Sequence, residues 1–204
     1  MATTVSALYD NAAEAQAAVE DLVENGFKRE AISVVASDAA GEYTAYHSEP
    51  IDVDDGMEGA IAGAMLGGLG GLVVGLAALA VPGIGPVLAA GPLASALVGV
   101  GVGAVTGSLI GALIDLGIEE RAAEYYAEGV RRGGTLVIVE ADPGQVEPAL
   151  ALLERHNPID VEERAARWRE YGWVGFDPES EPLTIEELAQ DRARTGASLP
   201  EDDD

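Results

Sequence analysis

A chain of 204 residues has room for one domain of ordinary size plus an appendage. Its net charge of −25, with Lys28 the only lysine, lacks the Lys and Arg density that phosphate binding requires, so nucleic acid is set aside as a partner. The absence of cysteine removes disulfide and thiol chemistry, and the acid excess fits either a high-GC genome or a salt-rich cytoplasm.

The opening "MATTVSALYD" has neither a basic n-region nor an apolar h-region, so no signal peptide is expected and the globular part is expected in the cytoplasm. Residues 1–58 read as ordinary globular sequence. An apolar strand from Val5 to Tyr9 precedes a helix with Ala15, Val19, Leu22 and Val23 on one face. Asn11 and Glu14 have capping-box spacing, and Gly26 suits the position just past the helix end. A second strand is expected from Ala31 to Ala36. "DVDDGME", Asp52 to Glu58, has some of the acids of a calcium loop, but Val53 stands where a third ligand belongs. Capping of the next helix accounts for those acids better. His47 and His156 have no paired spacing for a metal or a catalytic triad.

Residues 59–117 carry no charge until Asp115. Two runs repeat a small residue every fourth position: Gly59, Gly63, Gly67, Gly71 and Gly75, then Gly91, Ser95, Gly99, Gly103, Gly107 and Gly111. Each interior glycine costs a helix about 0.8–1 kcal/mol relative to alanine, a loss that close helix packing along a smooth stripe can return. Between the runs, Pro82, Gly83, Gly85 and Pro86 make an uncharged turn. The expectation is a glycine-zipper helical hairpin. Arms at 60–81 and about 87–114 would each be long enough to cross the ~30 Å hydrocarbon core of a bilayer, with Ile84 at the far side. A helix apolar all round needs cover from lipid or from copies of itself. Spanning length and extended GxxxG spacing favour lipid; the lack of Lys or Arg from Glu30 through Glu120 weighs against it. A phosphate loop fails on spacing, since Gly68 and Gly70 are followed by Val73 and no lysine.

Residues 118–165 return to globular sequence. A return helix, "IEERAAEYYAEGVRR", has its acids first and its arginines last, as the helix dipole favours, and Gly133 and Gly134 stop it. "TLVIVEA" is a strand. "PGQVEPALALLERHN" is a helix with Val146, Ala149, Leu150 and Leu153 on one face, starting either with Asp142 as cap or at Pro148. "PIDVEERA" reads as a closing strand. Two βαβ halves in series make an α+β, ferredoxin-like βαββαβ sandwich with the hairpin inserted between strands two and three. Its sheet core would be Val5, Leu8, Val34, Val137 and Val139.

Residues 166–204 form an acidic tail. "RWREYGWVGFDP" holds Trp168, Tyr171, Trp173 and Phe176, enough aromatic surface to require docking on its own domain, on a sister subunit, on a partner or at a membrane interface. "LTIEELAQDRAR" reads as a short amphipathic helix, and "TGASLPEDDD" as solvated chain.

The chain resembles the YflT-like general stress protein family. The resemblance rests on the opening "ALYDNAAEAQAAVEDLVENGFKREAISVVASD", the Gly/Ala segment with its "VPGIGPVLAAGPLASAL" turn, and "IEERAAEYYAEGVRRGGTLVIVEA", covering about residues 4–165. It implies a stress-induced, non-enzymatic protein and brings no catalytic residue, cofactor or metal ligand. Taken together, the expected function is self-association at a membrane through the hairpin. The alternative is a soluble cytoplasmic homo-oligomer that buries its hairpins in a shared core.

Overall fold

The computed structural model describes residues 2–38, 77–99 and 109–195. Strand β1 (Thr3–Tyr9) leads into helix α1 (Ala12–Glu24). Asn11 caps that helix, its side-chain oxygen accepting from the Glu14 N–H at 2.9 Å, and Gly26 follows its end at φ +91°. A single 3₁₀ turn (Arg29–Ala31) enters β2 (Ile32–Ser37). Beyond the undescribed stretch come β3 (Ala77–Val81), β4 (Gly85–Ala90), α2 (Pro92–Gly99) and α3 (Leu109–Asp115). The return helix is α4 (Glu120–Arg131), followed by β5 (Thr135–Ala141), α5 (Val146–Glu154), α6 (Val161–Glu170) and α7 (Ile185–Thr195).

The fold is α+β. Five antiparallel strands lie in the order β1-β5-β2-β4-β3. β5 is central to the first three, Val139 facing Val5 on one side and Ile32 on the other. Because side chains alternate along a strand, the sheet has two apolar faces, and over the β1-β5-β2 strands helices cover both. Val5, Ala7, Tyr9, Val34, Val137 and Val139 pack under α1 and α5. Leu8, Val35, Leu136, Ile138, Val87 and Ala89 pack under α2, α3 and α4. Gly129 lets α4 approach closely, since a Cβ there would lie 2.2 Å from Leu8 Cδ2.

Three expectations are corrected. The first concerns the apolar hairpin. Residues 77–81 and 85–90 are paired strands, not helix, so the turn at Pro82–Ile84 joins a β-hairpin. Ile84 is fully buried within the second face of the sheet rather than placed at the tip of two long helices. An uncharged apolar run fits helix or buried strand equally well. Here the unpaired edge of β2 supplies the partner: Val35 faces Ala89, and Asp38 N–H donates to Pro86 O at 2.9 Å. Among the described residues no helix is long and apolar enough to cross a membrane.

Second, the closing strand expected at 158–165 is absent. Asp160 caps α6 instead, accepting from the N–H groups of Glu162 and Glu163 at 3.0 Å each. One strand-like bond survives beside β1, from Ile159 N–H to Leu8 O at 2.7 Å. Third, α5 starts at Val146, later than the Asp142 cap and earlier than Pro148, because Asp142–Gln145 closes a turn first. That start leaves Leu150 41 % exposed and buries Leu152 in its place.

Candidate functional site

Two groups of residues singled out in the sequence meet in the fold. Ile84 N–H donates to Val81 O at 3.1 Å, closing a turn with Pro82 and Gly83 in its central positions. Gly83 lies at φ +75°, the conformation that the second of these positions takes in a type II turn. The C-terminal tail is laid over this turn. A Cβ on Gly83 would sit 2.7 Å from Asp177 O and 2.8 Å from Pro178 Cα, and one on Gly85 2.8 Å from Pro182 Cβ. Phe176 packs on the core of the same face. The glycines here admit the tail.

Two more tail aromatics, Trp168 and Trp173, gather on α4. Trp168 is 2 % exposed and meets Trp173 edge-on, ring centroids 5.6 Å apart; Trp173 meets Tyr125 in the same way at 5.9 Å. Arg132 stacks over Trp168, and Arg169 over both Tyr125 and Trp173. Arg121 Nε donates to the Tyr125 hydroxyl at 2.7 Å, and Arg169 donates to it as well. These bonds, that of Arg121 first, hold the Tyr125 hydroxyl below the ordinary tyrosine pKa. Tyr171 stays 60 % exposed under Arg194. The tail thus docks on its own domain through three of its four aromatics.

A polar clamp that the sequence reading missed fixes this arrangement. Glu128, fully buried in α4, binds Arg132 at 2.6 Å and Arg131 at 3.5 Å. Arg132 also pairs with Asp191 of α7, and Arg192 donates to Gly133 O at 3.0 Å. Arg131 reaches Glu181 O at 2.9 Å. At the end of β1, Asp10 holds Arg164 of α6 through two bonds of 2.8 and 2.9 Å. α7 has its own reciprocal cap, Thr184 and Glu187 each accepting from the other's N–H. A polar cleft of about 240 Å³ opens beside Asp10, where Arg167 is paired with Glu163 at 2.6 Å. The visible signal for the clamp was Glu128 itself, an acid three and four residues before two arginines, on a helix whose other mid-face positions are small or aromatic.

The remaining site residues are placed as follows. The first glycine run, Gly59 to Gly75, lies outside the described residues, as do Gly103, Gly107, His47 and Asp52–Glu58. Gly91 joins β4 to α2 at φ +79°, where a Cβ would lie 2.1 Å from Ile32 O. It is a contact between backbones within the chain, not a helix-face glycine. Ser95 is exposed on α2, Gly99 ends that helix, and Gly111 lies in α3. His156 sits 3.1 Å from Asp21. Among the described residues no group of three or more acids and histidines is placed to hold a metal.

Fold and site together define a two-faced antiparallel-sheet protein whose tail is clamped over its own β-hairpin turn. Residues 4–80 match the model of the heat induced stress protein YflT domain, which supports the resemblance to general stress proteins over that part of the chain. The matched residues run from β1 almost to the end of β3, and the return helix, β5 and the tail lie beyond them. No curated protein and no solved structure matches the chain.

Proposed function

We propose that this is a non-enzymatic general stress protein that self-associates in water through its Gly/Ala-rich segment. The stress domain matched at residues 4–80 is the observation that carries the class. The mode of action rests on the uncharged stretch 59–76, which joins β2 to β3. Among the described residues helices already cover both faces of the β1-β5-β2 strands, which supports copies of the chain as the cover for that stretch. Buried Glu128 is engaged with Arg131 and Arg132, and half-buried Asp10 with Arg164, which supports a structural rather than a catalytic use for these pairs. The β1-β5-β2 strands with α1 and α5 are read as a ferredoxin-like unit whose closing strand has been replaced by α6.

The geometry favours a water-borne assembly over a spanning hairpin for a topological reason. β2 precedes and β3 follows the stretch 39–76, and both strands belong to one sheet. Any crossing of a bilayer between them needs a return crossing. Residues 39–58 include Glu42, Glu49, Asp52, Asp54, Asp55 and Glu58 and offer no apolar length for one. Between α2 and α3 only residues 100–108 remain, roughly 14 Å if helical, about half a hydrocarbon core. Vesicle flotation of the purified, detergent-free protein, read beside chemical crosslinking, tests the proposal. Crosslinked oligomers that stay at the bottom of the gradient support it. Flotation with the vesicles restores the membrane reading, and a monomer that does neither removes self-association.

A further inference from the structure

The sheet ends on two edges, β1 and β3, and they are finished differently. β1 is guarded: Ile159 N–H donates to Leu8 O at 2.7 Å from outside the sheet, and the pair of Asp10 with Arg164 closes its end. β3 carries no charge, and among the described residues nothing pairs with its outer side. Natural sheets blunt such an edge with lysine, a bulge or a covering element, because open N–H and C=O groups are a template for another strand. We propose that the open edge of β3 pairs with the same edge of a second copy, antiparallel across a two-fold axis at Leu79. This pairing rests on the reading that the chain self-associates in water. It names a surface for it, the strand into which the uncharged stretch 59–76 runs.

The backbone sets the register. Asp38 N–H donates to Pro86 O, so Pro86 turns its backbone toward β2, and by alternation so does Leu88. Val87 and Ala89 therefore face β3, where they pair with Leu79 and Ala77. That leaves the N–H and C=O groups of Ala78 and Ala80 turned outward. Pairing centred on Leu79 sets Ala78 of each copy against Ala80 of the other, and every outward group meets its complement. Centring on Ala80 would set Ala78 against Pro82, which has no N–H to give, and centring on Ala78 would set Ala80 beyond the start of the strand. Charge favours a second copy as the occupant. At −25 the chain repels its own kind over most of its surface, and the run from Gly59 to Ile114 is where copies meet without that cost. The exposed Ala80 puts no bulk at the seam, and the half-buried Leu79 brings two leucines together at the axis.

The chain has no cysteine, so one introduced cysteine reports one contact. In the full chain under copper–phenanthroline oxidation, Leu79→Cys is expected to give a disulfide-linked dimer. Opposed residues of a non-bonded antiparallel pair stand about 4.5 Å apart at Cα, within bridging range. Ala80→Cys is expected to link poorly, because its like in the other copy lies diagonally, about 7–8 Å away. Adding Ala80→Pro to Leu79→Cys removes an outward N–H from each copy and leaves the bonds to β4 in place. It is expected to raise the protein concentration needed for half-linking about thirtyfold, as the loss of two ordinary hydrogen bonds should. Ala80→Lys, at an exposed side chain, is expected to act in the same direction and supplies the answer if the proline variant folds poorly. Sedimentation velocity of the parent separates this pairing from self-association as such. A monomeric parent removes self-association and the pairing with it. An oligomeric parent whose Leu79→Cys form stays unlinked, links no better than Ala80→Cys, or links undiminished beside both Ala80→Pro and Ala80→Lys overturns the β3 pairing alone.

Discussion

Gly91 distinguishes a glycine needed inside one chain from a glycine needed between helices. It stands first in the second four-residue run, with Ser95 next, and a helix-packing role would make the two equivalent. The structure makes them opposites. Gly91 has φ +79°, and a Cβ would meet Ile32 O at 2.1 Å and Ser33 Cα at 2.9 Å, all backbone of β2. That junction also seats α2, whose Leu93 N–H donates to the buried Ser33 Oγ at 3.1 Å. For Gly91→Ala, the left-handed backbone costs about 1–2 kcal/mol and the overlap with β2 about 1–3 kcal/mol, together roughly 2–5 kcal/mol. Ser95→Ala, on the exposed side of α2, should stay within about 0.5 kcal/mol. Urea unfolding followed by circular dichroism measures both. A Gly91→Ala midpoint equal to that of the parent would refute the placement of β4 and α2 against β2. Equal losses at 91 and 95 would return the run to a helix-packing role.

Other consequences follow from the same contacts. Burial, with the Glu14 charge adding to it, holds the Tyr9 hydroxyl well above its ordinary pKa of 10.0. The folded state therefore keeps that proton more tightly than the unfolded chain, and the contribution is complete below about pH 10 and lost as pH rises beyond it. Tyr9→Phe should flatten the alkaline fall in stability while costing about 1 kcal/mol at neutral pH through the lost 3.0 Å bond to Leu153 O; urea midpoints across pH check both. Glu128→Ala leaves Arg131 and Arg132 without their buried partner and should destabilise by about 3 kcal/mol in the same assay. Phe176→Ala should cost about 1–2 kcal/mol and speed limited proteolysis between residues 171 and 182, because that ring holds the tail on the Gly83 turn.

Where one residue pattern has one physical meaning, the sequence was readable. The alternation of β1 and the Asn11 cap, with Ala15, Val19 and Leu22 on one face, led directly to β1 and α1. "TLVIVEA" is buried on both faces, as its unbroken apolar run suggests. "AALAVPGIGPVLAA" had two meanings, and its strand form depends on an open edge at β2 that no local pattern announces. "IDVEERAARW" also had two. The spacing from Asp160 to Glu163 and from Val161 to Ala165 and Trp168 is that of a capped helix, a signal present but passed over in favour of symmetry with the first half. At the site, the turn glycines and the tail aromatics could each be singled out. Their meeting could not be foreseen, because it joins residues about ninety positions apart. Of the clamp, Glu128 with Arg131 and Arg132 had a local signal in its spacing, while the pairing of Arg132 with Asp191 was hidden because Asp191 alone reads as an ordinary surface charge.

The central claim is that the Gly/Ala-rich segment joins copies of this chain in water. Sedimentation velocity of the detergent-free protein, parent beside Gly67→Leu, tests it most directly. The account predicts one discrete oligomer for the parent, and a shift toward monomer in the variant with its circular dichroism spectrum unchanged. A monomeric parent, a parent that enters solution only with detergent, or a Gly67→Leu variant that assembles as the parent does would contradict it.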